Sequence, residues 1–198
     1  MILIRNDDVL LSSSGKYKGK EFNRFKFIHE QICRVPDKLL HCPAILCQEI
    51  QAFPEAIEYI RAETLEGRMR PYLHCWDHTD WTKKSQLEIY EMLQRCDKWF
   101  EENLNQGYSV WATPWGADSP AARQASAQIG IRLELTNDTI DLKLAAKITK
   151  QSNIVDILDA HTILIHWWER GLSMFRIVES AVSGSWTAAA LAKPIWFQ

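Results

Sequence analysis

The sequence predicts an α/β fold in which helices pack around a parallel sheet or barrel. Short apolar runs alternate with longer amphipathic stretches along most of the chain, which is the pattern that repeated βα units produce. Polar residues suited to chemistry follow several of these runs, and parallel α/β folds collect function at the carboxyl ends of their strands. The length of 198 residues predicts one domain, 1–198, that can bury a core without disulfides.

Three apolar runs in the first part of the chain predict strands, over residues 2–5, 43–47 and 69–74. Between them, residues 21–34 carry an apolar side of aromatic and isoleucine side chains, so we predict a helix that ends before Pro36. A second helix is predicted over residues 54–66. Pro54 suits its first turn, and Gly67 suits the position after its last turn.

The longest predicted helix begins after Ser85. Ser85 and Glu88 stand three residues apart, which is the spacing of a capping box. Apolar residues then recur at helical spacing to about residue 100, and this periodicity predicts a buried face. The helix has ended by Gly107.

The rest of the chain continues the alternation of strands and helices. Strands are predicted over residues 108–111, 131–135 and 162–165, and helices over residues 121–129, 138–150 and 172–182. Residues 113–116, Thr-Pro-Trp-Gly, predict a turn. Residues 183–198 are interpreted as a loosely attached tail of the single domain.

Composition and charge exclude several classes of protein. The formal net charge is −2 and the basic residues are scattered, whereas a nucleic-acid partner would need a clustered basic face. No apolar run approaches the roughly 18 residues of a membrane-spanning helix. The five cysteines lack zinc-ribbon or redox spacing, so we expect reduced thiols. Because no signal-peptide pattern is visible, we expect a cytoplasmic protein, while the oligomeric state is not predicted.

A histidine pair is the strongest indication of chemistry. His74 and His78 flank Cys75, Trp76 and Asp77, and two imidazoles at this spacing can share one metal ion if the segment is helical or turns tightly. Alone, the pair is a weak signal, because two unrelated histidines produce the same pattern. Cys75 is expected to point away from His74, its direct neighbour.

Further polar residues at the ends of predicted strands strengthen this indication. Asp7 and Asp8 follow the first strand, and His166 follows a late one. Two histidines and one carboxylate can form a catalytic metal centre with open coordination positions. His29 and His41 have no such placement and are interpreted as structural.

Four motifs together resemble the metal-dependent polysaccharide deacetylases, the NodB-homology superfamily of carbohydrate esterase family 4. They are Asn6-Asp7-Asp8, the segment from His74 to His78, Ala112-Thr113-Pro114-Trp115-Gly116 and Ile163-Leu164-Ile165-His166. Their order and approximate spacing match the superfamily over about residues 2–170. The resemblance implies a distorted or incomplete (β/α) barrel of about seven parallel strands.

The resemblance also implies a role for each site residue. Asp8, His74 and His78 would bind a divalent metal, with zinc expected and cobalt, nickel or manganese as alternatives. Asp7 would act as general base and His166 as general acid, together with metal-activated water. The expected function is removal of an acetyl group from an N-acetylated sugar or related amide, with a small-molecule or oligosaccharide substrate.

The third motif departs from the superfamily, because Ala112 stands where many members have an arginine that supports the catalytic carboxylate. Arg5 is a candidate substitute, since residues two apart on a strand face the same way and Asp7 is two positions further on. Two alternatives remain open. One is hydrolysis of another non-peptide C–N bond, and the other is an inactive pseudoenzyme that binds a glycan or a protein.

Residues around the predicted site are also candidates for substrate binding. Flat indole rings can stack on sugar faces while their N–H groups bond to hydroxyls, although core packing is the alternative for each tryptophan. The substrate-binding candidates are Arg5, Trp76, Pro114, Trp115 and Trp167.

Overall fold

The computed structural model describes residues 2–10, 20–34, 39–134, 140–141 and 162–166. They form seven strands and four α-helices, and the predicted α/β class is confirmed. The strands are β1 (Ile2–Val9), β2 (Leu39–Leu46), β3 (Tyr72–Cys75), β4 (Val110–Ala112), β5 (Arg132–Glu134), β6 (Ile140–Asp141) and β7 (Thr162–His166). The helices are α1 (Glu21–Cys33), α2 (Pro54–Leu65), α3 (Gln86–Leu104) and α4 (Pro120–Ile129).

All seven strands belong to one parallel sheet with the order β5-β4-β3-β2-β1-β7-β6. Parallel neighbours need crossover connections, and α1 to α4 lie in the chain between successive strands from β1 to β5. Within the described residues, β5 and β6 each pair with a single neighbour. Because all the strands run in the same direction, their carboxyl ends meet at the same edge of the sheet.

The sheet curls into an incomplete barrel. Arg5 on β1 and Glu134 on β5 approach to 3.3 Å between Nη1 and Oε2, although three strands separate β1 from β5 in the sheet. A flat sheet would place those strands about 19 Å apart, farther than the two side chains can bridge. The sheet must therefore curve around an enclosed interior, as the resemblance implied.

Two apolar layers lie on the two faces of the curved sheet. The inner cluster draws on strand residues alone: Leu40, Cys42, Ala44, Tyr72, Val110 and Ala112. The outer cluster combines the alternate strand positions with residues of all four helices, as expected when successive side chains face opposite sides. Cys75 belongs to this outer layer and contacts Met92, so the prediction that it points away from His74 is confirmed.

The predicted capping box at the start of α3 is present. The Ser85 hydroxyl accepts a hydrogen bond from the backbone N–H of Glu88 at 3.3 Å, and the Glu88 carboxylate accepts one from the Ser85 backbone at 2.9 Å. The helix runs past residue 100 to Leu104 and ends at Asn105, whose φ of 55° is left-handed. Asparagine tolerates this conformation, which terminates helices.

The predicted helix over residues 138–150 is wrong at its start. Residues 140–141 form the short strand β6, which pairs Ile140 with Ile163 and Asp141 with Leu164. Hydrogen bonding to the neighbouring strand outweighs local helical periodicity there. Residues 142–150, the predicted helix over 172–182 and the tail over 183–198 lie outside the described residues. None of the described helices is long and apolar enough to cross a membrane.

A buried chain of polar side chains connects α1, β2 and β1. The Nδ1 atoms of His29 and His41 lie 3.1 Å apart, His29 Nε2 lies 2.9 Å from Glu63, and His41 Nε2 lies 3.3 Å from the Asn6 amide nitrogen. The ionised Glu63 carboxylate has no proton to donate and accepts a hydrogen bond from Arg68. It therefore also accepts the hydrogen bond from His29. His41 then donates to His29 and accepts from Asn6. Both histidines are thus satisfied in the neutral state, and their structural interpretation is confirmed.

We expect the protein to lose stability as the pH falls below about 6.5. Burial lowers the pKa of His29, and burial together with the neighbouring His29 lowers the pKa of His41 well below its ordinary value. The unfolded state therefore binds more protons than the folded state once the pH drops through the ordinary histidine pKa of about 6.5. The free energy of unfolding should decrease in this range. Urea denaturation at about pH 7.5 and about pH 5.5 measures the change.

His41→Gln is the matched variant for this pH effect, because a glutamine keeps an acceptor for Asn6 but does not titrate. Its free energy of unfolding should depend less on pH between the same two values. Asp8 cannot mimic the effect, since its depressed pKa acts only below the ordinary carboxyl range. An equal pH dependence in wild type and variant would contradict the prediction.

Candidate metal centre

A bulge in β1 brings two consecutive carboxylates to one end of the barrel. In a regular strand, Asp7 and Asp8 would face opposite sides. The register with β2 instead shifts between Asn6 and Val9, and Asp8 adopts a left-handed φ of 53°. Bulges re-aim side chains in this way. A non-glycine residue in this region costs about 1–3 kcal/mol, a strain that concentrates at functional sites.

The bulge places Asp8 against both histidines of the predicted pair. Asp8 Oδ1 lies 3.0 Å from His74 Nε2 and 2.8 Å from His78 Nε2. One ligand atom from each of the three residues lies within 4.8 Å of the other two. Asp8 and His74 are buried, whereas the His78 side chain keeps 22% of its exposure. The cluster is therefore enclosed on the barrel side and reachable beside His78.

A hydrogen bond determines which nitrogen of His74 faces the cluster. His74 Nδ1 lies 2.6 Å from the backbone oxygen of Ala112. A carbonyl only accepts, so Nδ1 carries the proton and donates it. The lone pair of the neutral ring is then on Nε2, the nitrogen beside Asp8, which is the arrangement that metal-binding histidines use.

A tight turn, not a helix, returns His78 to the site. β3 ends at Cys75, and the Asp77 carboxylate then accepts hydrogen bonds from the backbone N–H and hydroxyl of Thr79 at 3.1 and 2.6 Å, and from Trp81 Nε1 at 2.9 Å. Burial would raise the pKa of Asp77, but these bonds outweigh burial and lower it. Asp77 is therefore the residue that holds the turn together.

The electrostatics of the cluster suit a cation. Burial would raise the pKa of Asp8, but the adjacent His74 and His78 side chains outweigh burial and hold the pKa below its usual range. Asp8 is thus ionised, and the cluster offers one carboxylate oxygen and two imidazole nitrogens. This donor set fits zinc and neighbouring divalent metals. The residues present fit the metal that the motifs imply.

Arg5 binds the carboxylate of Asp7, the other member of the aspartate pair. Its Nε lies 2.7 Å from Asp7 Oδ1 and its Nη2 lies 2.6 Å from Asp7 Oδ2, a two-pronged contact. Arg5 is fully buried, and it also donates to Glu134. This geometry supports the predicted substitution for the arginine missing at Ala112. It argues against the predicted substrate-binding role of Arg5, because its guanidinium is occupied by carboxylates inside the barrel.

The backbone of β7 brings His166 to the same end of the sheet. His166 is the last residue of β7 and lies in register with Asp7 on the adjacent strand β1. Its role as general acid stays a prediction. Trp167 lies outside the described residues.

The other substrate-binding candidates are in different surroundings. Trp76 donates from Nε1 to Gln48 at 3.0 Å, and the guanidinium of Arg95 lies 3.3 Å from the centre of its ring. Pro114 is buried. Trp115 is 63% exposed and its ring centre lies 4.5 Å from that of His78. Among the candidates that the structure describes, Trp115 is the aromatic residue whose ring contacts the cluster.

Sequence reasoning missed Glu134. This residue is buried, and it accepts hydrogen bonds from Arg5 at 3.3 Å and from Arg132 at 2.6 Å. Arg5 and Glu134 are 129 positions apart, and no local pattern links them. The signal available in the sequence was one basic and one acidic residue on the same strand face, Arg132 and Glu134.

Fold and cluster define an α/β barrel protein with an Asp-His-His set at the carboxyl ends of its strands. The profile of the family described as polysaccharide deacetylase matches residues 48–134. The chain also has the fold of solved deacetylases of carbohydrate esterase family 4. Both findings support the resemblance to the polysaccharide deacetylase superfamily that the four motifs predict.

Three solved structures illustrate the similarity of fold. A family 4 carbohydrate esterase from Streptomyces lividans, in complex with acetate, is 15% identical, with a TM-score of 0.63 over 93% of this chain and 88% of its own. A peptidoglycan deacetylase from Bacillus subtilis is 15% identical, with a TM-score of 0.60 over 92% and 83%. A family 4 pseudoenzyme from Bacillus anthracis is 14% identical, with a TM-score of 0.61 over 92% and 59%.

The similarity to these structures is limited in coverage and in sequence identity. The chain spans 59% of the Bacillus anthracis protein, and identities this low define a shared fold alone. No curated protein matches the sequence significantly.

Proposed function

We propose that the protein is a metal-dependent hydrolase that removes an acetyl group from an N-acetylated sugar or a related amide. The observation that carries the proposal is the convergence of Asp8, His74 and His78 beside Asp7, whose carboxylate Arg5 holds from both oxygens. A buried cation-binding set next to a separate, oriented carboxylate is what amide hydrolysis needs. The deacetylase family match over residues 48–134 supports the same reaction class.

The metal would be held by Asp8 Oδ1 and the Nε2 atoms of His74 and His78. A divalent ion with these three ligands would supply Lewis acidity, which would polarise a carbonyl and make an attacking water easier to deprotonate. The Ala112 carbonyl keeps His74 in the required tautomer. The His78 side leaves room for a substrate, because it is the exposed side of the cluster.

The remaining residues move protons and orient the substrate. Asp7 accepts a proton from the attacking water, whose oxygen bonds to the carbonyl carbon. When the C–N bond breaks, the leaving amine takes a proton from His166, for which a pKa near neutrality is suitable. The products are acetate and a free amine. The exposed indole of Trp115 beside His78 offers a face on which a sugar ring can stack.

A pseudoenzyme is the second candidate function. Ala112 replaces the arginine that many superfamily members carry, and one of the similar solved structures is a family 4 pseudoenzyme. In that case the same surface would bind a glycan or a protein without turnover. Hydrolysis of a different non-peptide C–N bond is a further alternative that the cluster serves equally well.

We expect the purified protein to contain about one divalent ion per chain and to release acetate from N-acetylated oligosaccharides. An open site with three protein ligands binds one ion, and chelation should remove the ion and the activity together. Elemental analysis gives the stoichiometry, and an acetate assay over chitin-type and peptidoglycan-type oligosaccharides gives the activity. Zinc, cobalt, nickel and manganese are then added back separately.

The outcomes separate the candidates. Metal binding with acetate release supports the proposed enzyme. Metal binding without turnover on a broad panel of amides and esters supports the pseudoenzyme. A protein that stays metal-free after reloading would exclude the proposed mechanism.

A further inference from the structure

A charged chain of four side chains crosses the interior of the barrel. It runs from Asp7 through Arg5 to Glu134 and ends at Arg132, with contacts of 2.6 and 2.7 Å, then 3.3 Å, then 2.6 Å. We propose that Glu134 and Arg5 form a positioning unit for the general base Asp7, in which Glu134 holds Arg5 and Arg5 holds Asp7. The inference rests on the proposed function, because it assigns Asp7 as the base.

The geometry leaves Arg5 little freedom. Two edges of its guanidinium are used, one by both oxygens of Asp7 and the other by Glu134. The side chain is fully buried, and so cannot exchange these partners for water. A planar guanidinium that bonds both oxygens of a carboxylate also fixes the plane of that carboxylate. Each Asp7 oxygen keeps a further lone pair for a proton from water.

The charges explain why Glu134 matters. Arg5 and Asp7 form one buried ion pair, and Glu134 and Arg132 bring one further charge of each sign. A buried guanidinium that lost one of its carboxylates would be under-paired, which is costly in an environment of low dielectric constant. Burial alone would lower the pKa of Arg5, but Asp7 and Glu134 outweigh burial and hold it above its ordinary value.

The position of Glu134 at the end of β5 makes the unit span the barrel. Arg132, on the same strand face, is 60% exposed and bonds the other Glu134 oxygen. The orientation of Asp7 on β1 is therefore tied to β5, a strand four places away in the sheet. β4, the strand that carries Ala112, consists of Val110, Trp111 and Ala112 and therefore supplies no charged residue. Arg5 thus provides the cation from the base's own strand.

The test uses the full-length protein and compares Arg5→Ala, Arg5→Lys and Glu134→Gln with wild type. We expect kcat to fall about 100-fold in Arg5→Ala and about 10-fold in Glu134→Gln, with KM nearly unchanged, because misplacing a catalytic group has effects of this size. Arg5→Lys keeps the charge but not the two-pronged contact, so its kcat should lie between those of Arg5→Ala and wild type. Added guanidinium ion should partly restore Arg5→Ala and leave Asp7→Asn unaffected.

Crystal structures of the same variants give a readout that does not depend on turnover. The Asp7 carboxylate should rotate or shift in Arg5→Ala and Glu134→Gln, and return when guanidinium is soaked into Arg5→Ala. Arg123→Ala, which breaks the exposed pair with Asp118, is the matched control and should leave Asp7 in place. The metal content should stay at the wild-type value in all variants.

These readouts keep the inference separate from the proposed function. A wild-type protein without activity would overturn the hydrolase, while the Asp7 position in the variants would still decide the positioning unit. An unmoved Asp7 carboxylate in both Arg5→Ala and Glu134→Gln would overturn the inference even in an active enzyme. Failure of guanidinium to restore either the position or the turnover of Arg5→Ala would do the same.

Discussion

Asp7→Asn should reduce the rate of acetate release by about 10²–10⁴-fold, the range typical for loss of a general base. The amide has nearly the same shape as the carboxylate but cannot take a proton from water at neutral pH. Asparagine still offers one oxygen to Arg5, so the local structure should be largely retained. The effect is expected in kcat, because Asp7 acts on the water and not on the sugar.

Two controls accompany this substitution. The metal content of Asp7→Asn should equal that of wild type, since Asp7 is not one of the three clustered ligands. Asp118→Asn, on the exposed surface beside Arg123, should leave the turnover unchanged. Wild-type turnover in a folded, metal-loaded Asp7→Asn protein would exclude Asp7 as the base.

His74→Gln should abolish stable metal binding and lower turnover by ~10³-fold or more, since the Lewis-acid contribution is worth several kcal/mol. Glutamine cannot place a nitrogen lone pair beside Asp8 while donating to the Ala112 carbonyl. His74 is also the more deeply buried of the two histidines. Metal affinity by competition with a chromophoric chelator and turnover at saturating metal measure the two effects separately.

Cys75→Ala is the matched control for His74→Gln. Cys75 is adjacent in sequence, but its side chain lies in the outer apolar layer against Met92. This variant should keep one metal per chain and its turnover, and lose only packing free energy. If Cys75→Ala lost the metal and His74→Gln kept it, the assignment of ligands would be wrong.

Local patterns predicted much of the fold. The helix starting at Ser85 follows from a capping box and apolar spacing, and the structure contains both. The placement of Asp8, His74 and His78 follows from a general property of parallel sheets, whose strands all end at one edge. Periodicity and strand ends are properties of short segments, so a single sequence is sufficient to recognise them.

Long-range features escaped prediction. The bulge that turns Asp8 depends on the register between β1 and β2, which no window of β1 contains. The contact between Arg5 and Glu134 depends on the curvature of the whole sheet. The strand at residues 140–141 forms through pairing with β7, against a local helical pattern. The cytoplasmic location stays a prediction, because no described feature bears on it.

The place of β1 in the sheet has a consequence for how the protein is made. β1 carries Arg5, Asp7 and Asp8, and it is synthesised before β2 and β7, the two strands between which it lies. Asp7 on β1 lies in register with His166 on β7, which is more than 150 positions later in the chain. Strand pairing over such a sequence separation is slow. Until β7 pairs with β1, the unpaired edge of β1 can form non-native strand pairs or aggregate. The candidate site therefore cannot be complete before β7 has been synthesised, and conditions that slow the pairing of β7 with β1 should reduce the yield of correctly folded protein before they affect the folded molecule.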